Sequence, residues 1–247
     1  MAKRALVTGA STGIGAAIVR SLCASGYQVL ATARREERLQ ELTDRCGANY
    51  VAADLTTDDG IAAVGEAIDT YGSIDVLVNC AGGALGMDTV VDGNVDDWRR
   101  MYEINVVGAL RVTQLVLPHM KENGGDVVFI SSTAGHGTYP GGAGYVAAKH
   151  AERQIPATLR LELVGFPVRI IDIAPGMVKT EEFTLNRLRG DVHATEKVYE
   201  GVEQPLVAED IAEAVRWAVS LPPHVNIDSM IVRPVAQASN TLVARKK

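Results

Sequence analysis

Cysteine, metal-ligand spacing, basic runs, long apolar runs and linker-like segments are all scarce or missing in this chain of 247 residues. Cys23, Cys46 and Cys80 are odd in number and widely spaced, with no Cys-x-x-Cys or neighbouring His pair, so neither a disulfide framework nor a zinc site is implied. They read as free, buried thiols in a reducing compartment. The five histidines, His119, His136, His150, His193 and His224, also lack ligand spacing, and no metal is expected. Lys and Arg number 24 against 30 Asp and Glu, a net charge of -6, and the short basic run at the C-terminus is too small a footprint for nucleic acid. No apolar stretch nears the roughly 18 residues of a membrane span. The first residues lead straight into a strand rather than a signal-type segment, so the expectation is a soluble, cytoplasmic protein with no membrane partner. With no linker, repeat or low-complexity stretch, residues 1–247 read as a single domain.

What is present is a regular alternation. Short apolar runs at 5–7, 28–33, 50–53, 76–79, 127–130, 168–173 and 230–232 are separated by segments of helical period at 15–25, 36–45, 61–71, 98–119, 145–163 and 209–220. Alternation of this kind predicts an α/β fold: a doubly wound parallel sheet of about seven strands with helices on both faces. The strands are apolar throughout, as they must be when both faces are covered. Residues 179–205 carry no clear pattern and follow the sixth strand, where loops border the ligand crevice of such sheets, so they are a candidate lid.

The first strand runs into Gly9, Ala10, Ser11, Thr12, Gly13, Ile14 and Gly15 and then into a helix. Glycines there let the backbone approach a pyrophosphate, and the helix N-terminus offers unpaired N–H groups. The same residues spell Gly-x-Ser-x-Gly, the nucleophile elbow of a hydrolase, but only one strand precedes Ser11 and an oxyanion hole needs more. At the end of the second strand, where an NAD site places a carboxylate, stand Ala33, Arg34 and Arg35. A guanidinium suits a 2'-phosphate that a carboxylate would repel, so NADP is the expected cofactor. The plainer alternative is that both arginines merely open a solvated helix.

A second cluster joins Ser132, at the end of the fifth strand, to Tyr145 and Lys149. If Tyr145 opens a helix, Lys149 projects from the same face one turn on. A phenol is a poor base at neutral pH. An ammonium about 4 Å away at an effective dielectric of about 20 favours phenolate by roughly 4 kcal/mol. Such a pair can give and take a proton, while Ser132 can stabilise charge on a substrate oxygen.

Taken with Thr8, Gly9, Gly13, Ile14, Gly15, Asp54, Leu55, Asn79, Ala81, Gly82, Asn105, Pro175, Gly176 and Thr180, these residues resemble the short-chain dehydrogenase/reductase family over nearly the whole chain. The resemblance implies a Rossmann-type fold, a homotetramer, and a catalytic tetrad of Asn105, Ser132, Tyr145 and Lys149 in which Asn105 holds a water. It also implies that Asp54 and Leu55 meet the adenine, that Asn79 through Gly82 line the cofactor cleft, and that Pro175, Gly176, Val178 and Thr180 cradle the nicotinamide half. Arg34 falls where NADP-preferring members carry their phosphate arginine. Locally, Asn105 has the alternative reading of a helix-bend residue, and Asp54 that of a cap.

Two departures stand out. Cys80 replaces a usual Asn, and Pro156 should kink or break the helix begun by Tyr145. A narrower resemblance, to bacterial NADP-dependent 3-hydroxy acid (serine) dehydrogenases, rests on Gly83 to Met87, Phe183, Arg187, Arg189 and the tail around His224 and Arg233 to Gln237. The tail is also similar to clavulanate-type aldehyde reductases. The expected substrate is therefore a small alcohol or carbonyl, with a 3-hydroxy acid or its semialdehyde leading, and Lys179, Arg187 or Arg189 as candidates to meet its carboxylate. A nicotinamide-sensing protein without turnover is the rival from another class.

Overall fold

The computed structural model describes residues 2–246. Seven strands form one parallel sheet: β1 (Arg4–Thr8), β2 (Gln28–Ala33), β3 (Asn49–Ala52), β4 (Val76–Asn79), β5 (Gly125–Ile130), β6 (Val168–Pro175) and β7 (Ser229–Val232). Their order is β3-β2-β1-β4-β5-β6-β7, so the direction of winding reverses between β1 and β4. That reversal opens a crevice at the strand C-termini, the place where ligands bind in sheets of this type. The doubly wound α/β architecture expected from the alternation is what forms.

Helices α1 (Gly13–Ala24), α2 (Glu36–Cys46) and α9 (Ala208–Ser220) cover one face, where Ile18, Leu22, Leu39, Ile211 and Val215 are wholly buried against the strands. On the other lie α3 (Asp58–Tyr71), α5 (Gly108–Asn123) and α6 (Ala143–Glu162), packed on Leu6, Leu77, Phe129 and Ile170. Each of these core side chains contributes enough that truncation to Ala costs about 2–5 kcal/mol. Among the described residues no helix is long and apolar enough to cross a membrane.

Three local expectations need correction. The stretch 98–119 is not one helix: α4 (Val95–Tyr102) passes through a π-helical turn, Glu103–Val107, into α5. The helix begun near Tyr145 does not break at Pro156, because α6 runs on to Glu162 with the proline ring buried on its inner face. Packing there outweighs the lost hydrogen bond to the Glu152 carbonyl. The thiols are free but only half-buried, and the fold brings Cys23 beside Cys46, with burial pushing Cys23 up to about 12.

The patternless lid region contains two short helices, α7 (Phe183–Arg187) and α8 (Val192–Tyr199). Its ends are pinned together by a parallel bridge between Val178 and Leu206.

Candidate active site

Every strand C-terminus on either side of the winding reversal delivers part of the site. Gly9 sits at φ +67°, and a Cβ there would come 2.7 Å from Ala81 Cα, so only glycine lets the turn after β1 touch the loop after β4. Thr8 holds that loop: its hydroxyl accepts from the Cys80 and Ala81 amides at 3.0 and 2.9 Å. Helix α1 begins with no side-chain cap and no acidic residue in its first turn, leaving its N–H groups free. The Thr12 and Thr180 hydroxyls are buried without partners, and Thr180 lies opposite Gly13. A groove of about 300 Å³ opens beside Ser11, Thr12 and Gly13, with Arg38 and Lys179 on its rim. Glu41, Glu181 and Glu209 share that rim, so it is the orphan hydroxyls and the bare helix N-terminus that fit a diphosphate.

The two arginines after β2 part company. Arg35 makes a bidentate pair with Glu182 in the lid, at 2.8 and 2.7 Å, and donates to Ser11 Oγ at 3.0 Å. Arg34 is exposed and pairs with no described residue. Ser11, the nucleophile of the hydrolase alternative, thus serves as an arginine acceptor.

Several residues that the resemblance assigned to the cofactor have partners of their own within the protein. Asp54 Oδ1 accepts from the Thr56 amide and hydroxyl at 3.0 and 2.7 Å, a turn between β3 and α3, whose N-cap is Thr57. Against the opposing effect of burial, those bonds and the nearby Arg34 keep its carboxyl below the ordinary range. Leu55 is a core residue, and Ile14 packs against the opposite core. Asn79 is buried and donates to Thr113 at 2.9 Å, tying β4 to α5 rather than facing the cleft with its amide, while its carbonyl oxygen lacks a partner. Pro175 ends β6 in the interior, Gly176 and Met177 are anchored by the Val232 carbonyl and Gln237, and Val178 carries the bridge to Leu206.

Around α6 the proposed tetrad does converge. Asn105 is fully buried at the π turn; its amide donates to the Gly83 and Met101 carbonyls at 2.9 and 2.7 Å and its oxygen accepts from Gly83 N at 3.2 Å. The π turn aims this side chain at the loop after β4 instead of merely bending the helix. A Cβ on Gly82 would meet Asn105 Oδ1 at 2.6 Å and Lys149 Nζ at 3.4 Å, so glycine is needed where these three approach. Lys149 Nζ lies 5.9 Å from the centre of the Tyr145 ring, on the same face of α6. Ser132 follows β5, its hydroxyl accepting from Ala134 N at 3.1 Å.

Tyr145 is buried, not at an open mouth, and this reverses the expected direction of its proton affinity. Burial pushes the phenol up, Lys149 pulls it down, Glu152 pushes it up again, and a Ser132 hydrogen bond only partly compensates, so the net shift is upward. Burial works against the Lys149 ammonium, but Glu152 and Tyr145 outweigh it and raise its proton affinity. Glu152 escaped the sequence reading; its position three residues after Lys149 on one helical face was the available signal.

The lid closes over Tyr145. Phe183 meets its ring edge-on at 5.8 Å, and the Arg187 guanidinium stands 5.7 Å from it. Arg187 donates to the Gly86 and Gly141 carbonyls and to the Tyr139 hydroxyl, at 3.1, 3.3 and 3.0 Å, all neutral acceptors. Arg189 instead pairs with Asp97, and Lys179 lies over the Tyr199 ring. The cavity left between Tyr145, Arg187, Trp98 and Met101 is about 10 Å³, room for about one water.

Comparison with known proteins gives a consistent result. The short chain dehydrogenase family pattern matches residues 3–188. An uncharacterized oxidoreductase of Mycobacterium tuberculosis is 46% identical over 236 residues, 95% of this chain and 92% of the relative. The NADP-dependent 3-hydroxy acid dehydrogenase YdfG of Escherichia coli is 43% identical over 238 residues, 94% of this chain and 95% of the relative. Among solved structures, the closed form of serine dehydrogenase complexed with NADP+ superposes with a TM-score of 0.91 at 40% identity, covering 99% of this chain and 100% of that one.

Proposed function

The chain belongs to the short-chain dehydrogenase family and is an NADP-dependent oxidoreductase; from that premise we propose that Asn105, Ser132, Tyr145 and Lys149 are its catalytic tetrad and that its substrate is a small 3-hydroxy acid or the matching semialdehyde. When bound, the cofactor supplies or takes up the hydride. In reduction, Tyr145 Oη donates its proton to the carbonyl oxygen, and Ser132 Oγ donates a hydrogen bond to the same atom. Lys149 stabilises the phenolate that remains, and the Asn105 amide holds the Gly83 loop against the pair. Thr12, Thr180 and the N-terminus of α1 would hold the diphosphate, with Arg34 as the free cation for the 2'-phosphate.

The substrate class is carried by one observation: Arg187 stands beside Tyr145 and donates only to neutral acceptors, while of the two carboxylates lining the same cavity Asp97 is taken by Arg189 and Asp88 makes no ion pair with Arg187. A substrate carboxylate supplies the missing charge. Because the closed cavity holds little more than a water, entry requires α7 and Arg187 to move. A panel of L-serine, 3-hydroxypropionate and 1-propanol with NADP+ tests the reading. Arg187→Met raises KM for the acids on the order of 10-fold to 100-fold and leaves 1-propanol unaffected; equal losses on all three would sink the carboxylate assignment. A cytoplasmic homotetramer belongs to the same reading, supported by the exposed apolar Ile231, Val235 and Leu242 around the β7 edge, and light scattering of the purified protein checks its mass.

A further inference from the structure

Glu152 has no part in the reaction described so far, yet it touches the ammonium on which that reaction turns. Lys149 Nζ lies 2.6 Å from Glu152 Oε2 and donates to the Ile130 carbonyl at 3.2 Å. The carboxylate is 1% exposed, and no hydroxyl or backbone donor shares that oxygen. Stability is a poor reason for such a pair, since an apolar side chain of similar volume is commonly as good or better in a buried place. The groups around Glu152 come from every neighbouring element. Cys80 approaches from the loop after β4 and Asp172 from β6. Asp172 accepts from Ser131 and Ser229 and stands 3.8 Å from His136. On α6 itself are Lys149 and Tyr145, and Tyr145 in turn faces Ser132, Tyr139 and Arg187.

We propose that Glu152 is a positioning residue of the reaction: by holding the Lys149 ammonium it screens that charge from Tyr145 and keeps the phenol protonated, the form that delivers a proton to a carbonyl. The proposal rests on the assignment of Tyr145 and Lys149 as the proton-transfer pair. Seen from the phenol, a lone ammonium is a full charge, whereas an ammonium in contact with a carboxylate is a dipole whose field falls off faster. The site is thereby biased toward reduction near neutral pH, and oxidation has to wait until the phenol ionises at higher pH. The screen is itself titratable, since burial pushes the Glu152 carboxyl up to about 7 against the opposing pull of Lys149. Protonating it exposes the full ammonium to Tyr145.

The test is the pH profile of kcat/KM for oxidation with NADP+, using whichever alcohol of the panel above the parent oxidises fastest, in Glu152→Gln, Glu152→Leu and Glu152→Asp. In the Gln and Leu variants the limb that reports Tyr145 ionisation moves to lower pH by about one unit or more, which is about a tenfold gain below the parent limb. Glu152→Asp keeps the charge and stays close to the parent profile. Coincident profiles in all variants, or a uniform loss of rate with a lowered Tm, overturn the proposal. Failure of both neutral variants to fold also counts against it, because the carboxylate would then be needed to keep the buried ammonium in place rather than to screen it. Tyr145→Phe separates the two levels: retained turnover refutes the proton-transfer pair itself, whereas lost turnover beside an unshifted Glu152→Gln profile refutes only the role of Glu152.

Discussion

Two buried ion pairs sit at opposite ends of the same central strands, and they are built differently. At the N-terminal end, Arg169 on β6 faces Asp126 on β5 across the ladder and grips both carboxylate oxygens at 2.6 and 2.7 Å. The rest of its guanidinium donates to the carbonyls of Ala218, Val219, Leu221 and Val225, so it also ends α9 and anchors the loop beyond. At the C-terminal end, Lys149 and Glu152 share one contact, and the carboxylate oxygen in it has no second donor. The first pair has every polar atom occupied and nothing left to offer a ligand. The second is under-satisfied and leaves hydrogen-bonding capacity free beside Tyr145. Burial and ion pairing alone do not separate a clasp from a reactive centre; the count of satisfied atoms does.

The contrast is broken most severely at Tyr145. Replacing it by Phe should lower turnover by about 10² to 10⁴-fold while urea unfolding and NADPH binding stay as in the parent. Asp126→Ala should do the reverse. It strands a buried guanidinium and costs about 3–5 kcal/mol in urea unfolding, with turnover per folded molecule unchanged; a parallel fall in kcat would mean that the two ends of the sheet are coupled.

The same logic sorts the arginines after β2, where Arg35 is already paired and Arg34 is free. Arg34→Ala should weaken NADPH binding on the order of 10-fold to 100-fold and leave NADH binding alone, read by titration of cofactor fluorescence. Equal losses for both cofactors would return Arg34 to the role of a solvated surface charge.

The smallest effect is a slope. Glu152 rises from an ordinary 4.5 to about 7 on folding, so between these values the native protein binds more protons than the unfolded chain. Stability from this group is therefore complete below about pH 4.5 and is lost as pH rises toward 7. Subtracting the Glu152→Gln stability curve from that of the parent should leave a decline over this window; a flat difference would place the carboxyl in a better-solvated setting than the structure gives it.

The parts legible beforehand were those with a period or a fixed offset. The seven apolar runs became the seven strands, most of them extended by a residue or two at their ends where backbone pairing continues past the apolar residues. The glycine turn and the Tyr145–Lys149 offset were local enough to place correctly. The side-chain directions of Asn79 and Leu55 were not legible, because a loop position next to a cleft does not say which way a side chain turns, and both side chains turn into the interior. Pro156 was overweighted: its cost is local, whereas the helix is held along its whole inner face. The acidified phenol was inferred from one neighbour, and both the burial of Tyr145 and the presence of Glu152 reversed it.

The order of strands and helices, the glycine turn between β1 and α1 and the spacing of Tyr145 and Lys149 on one helix face were determined by sequence alone, because each depends on neighbours within a few residues. That Arg35 pairs with Glu182 while Arg34 stays exposed, that Arg187 rather than Lys179 or Arg189 lies beside Tyr145, and that Lys149 contacts Glu152 were decided only by tertiary structure. Charge acts through distance and solvent exclusion, and neither exists until the sheet, the lid and α6 have packed together.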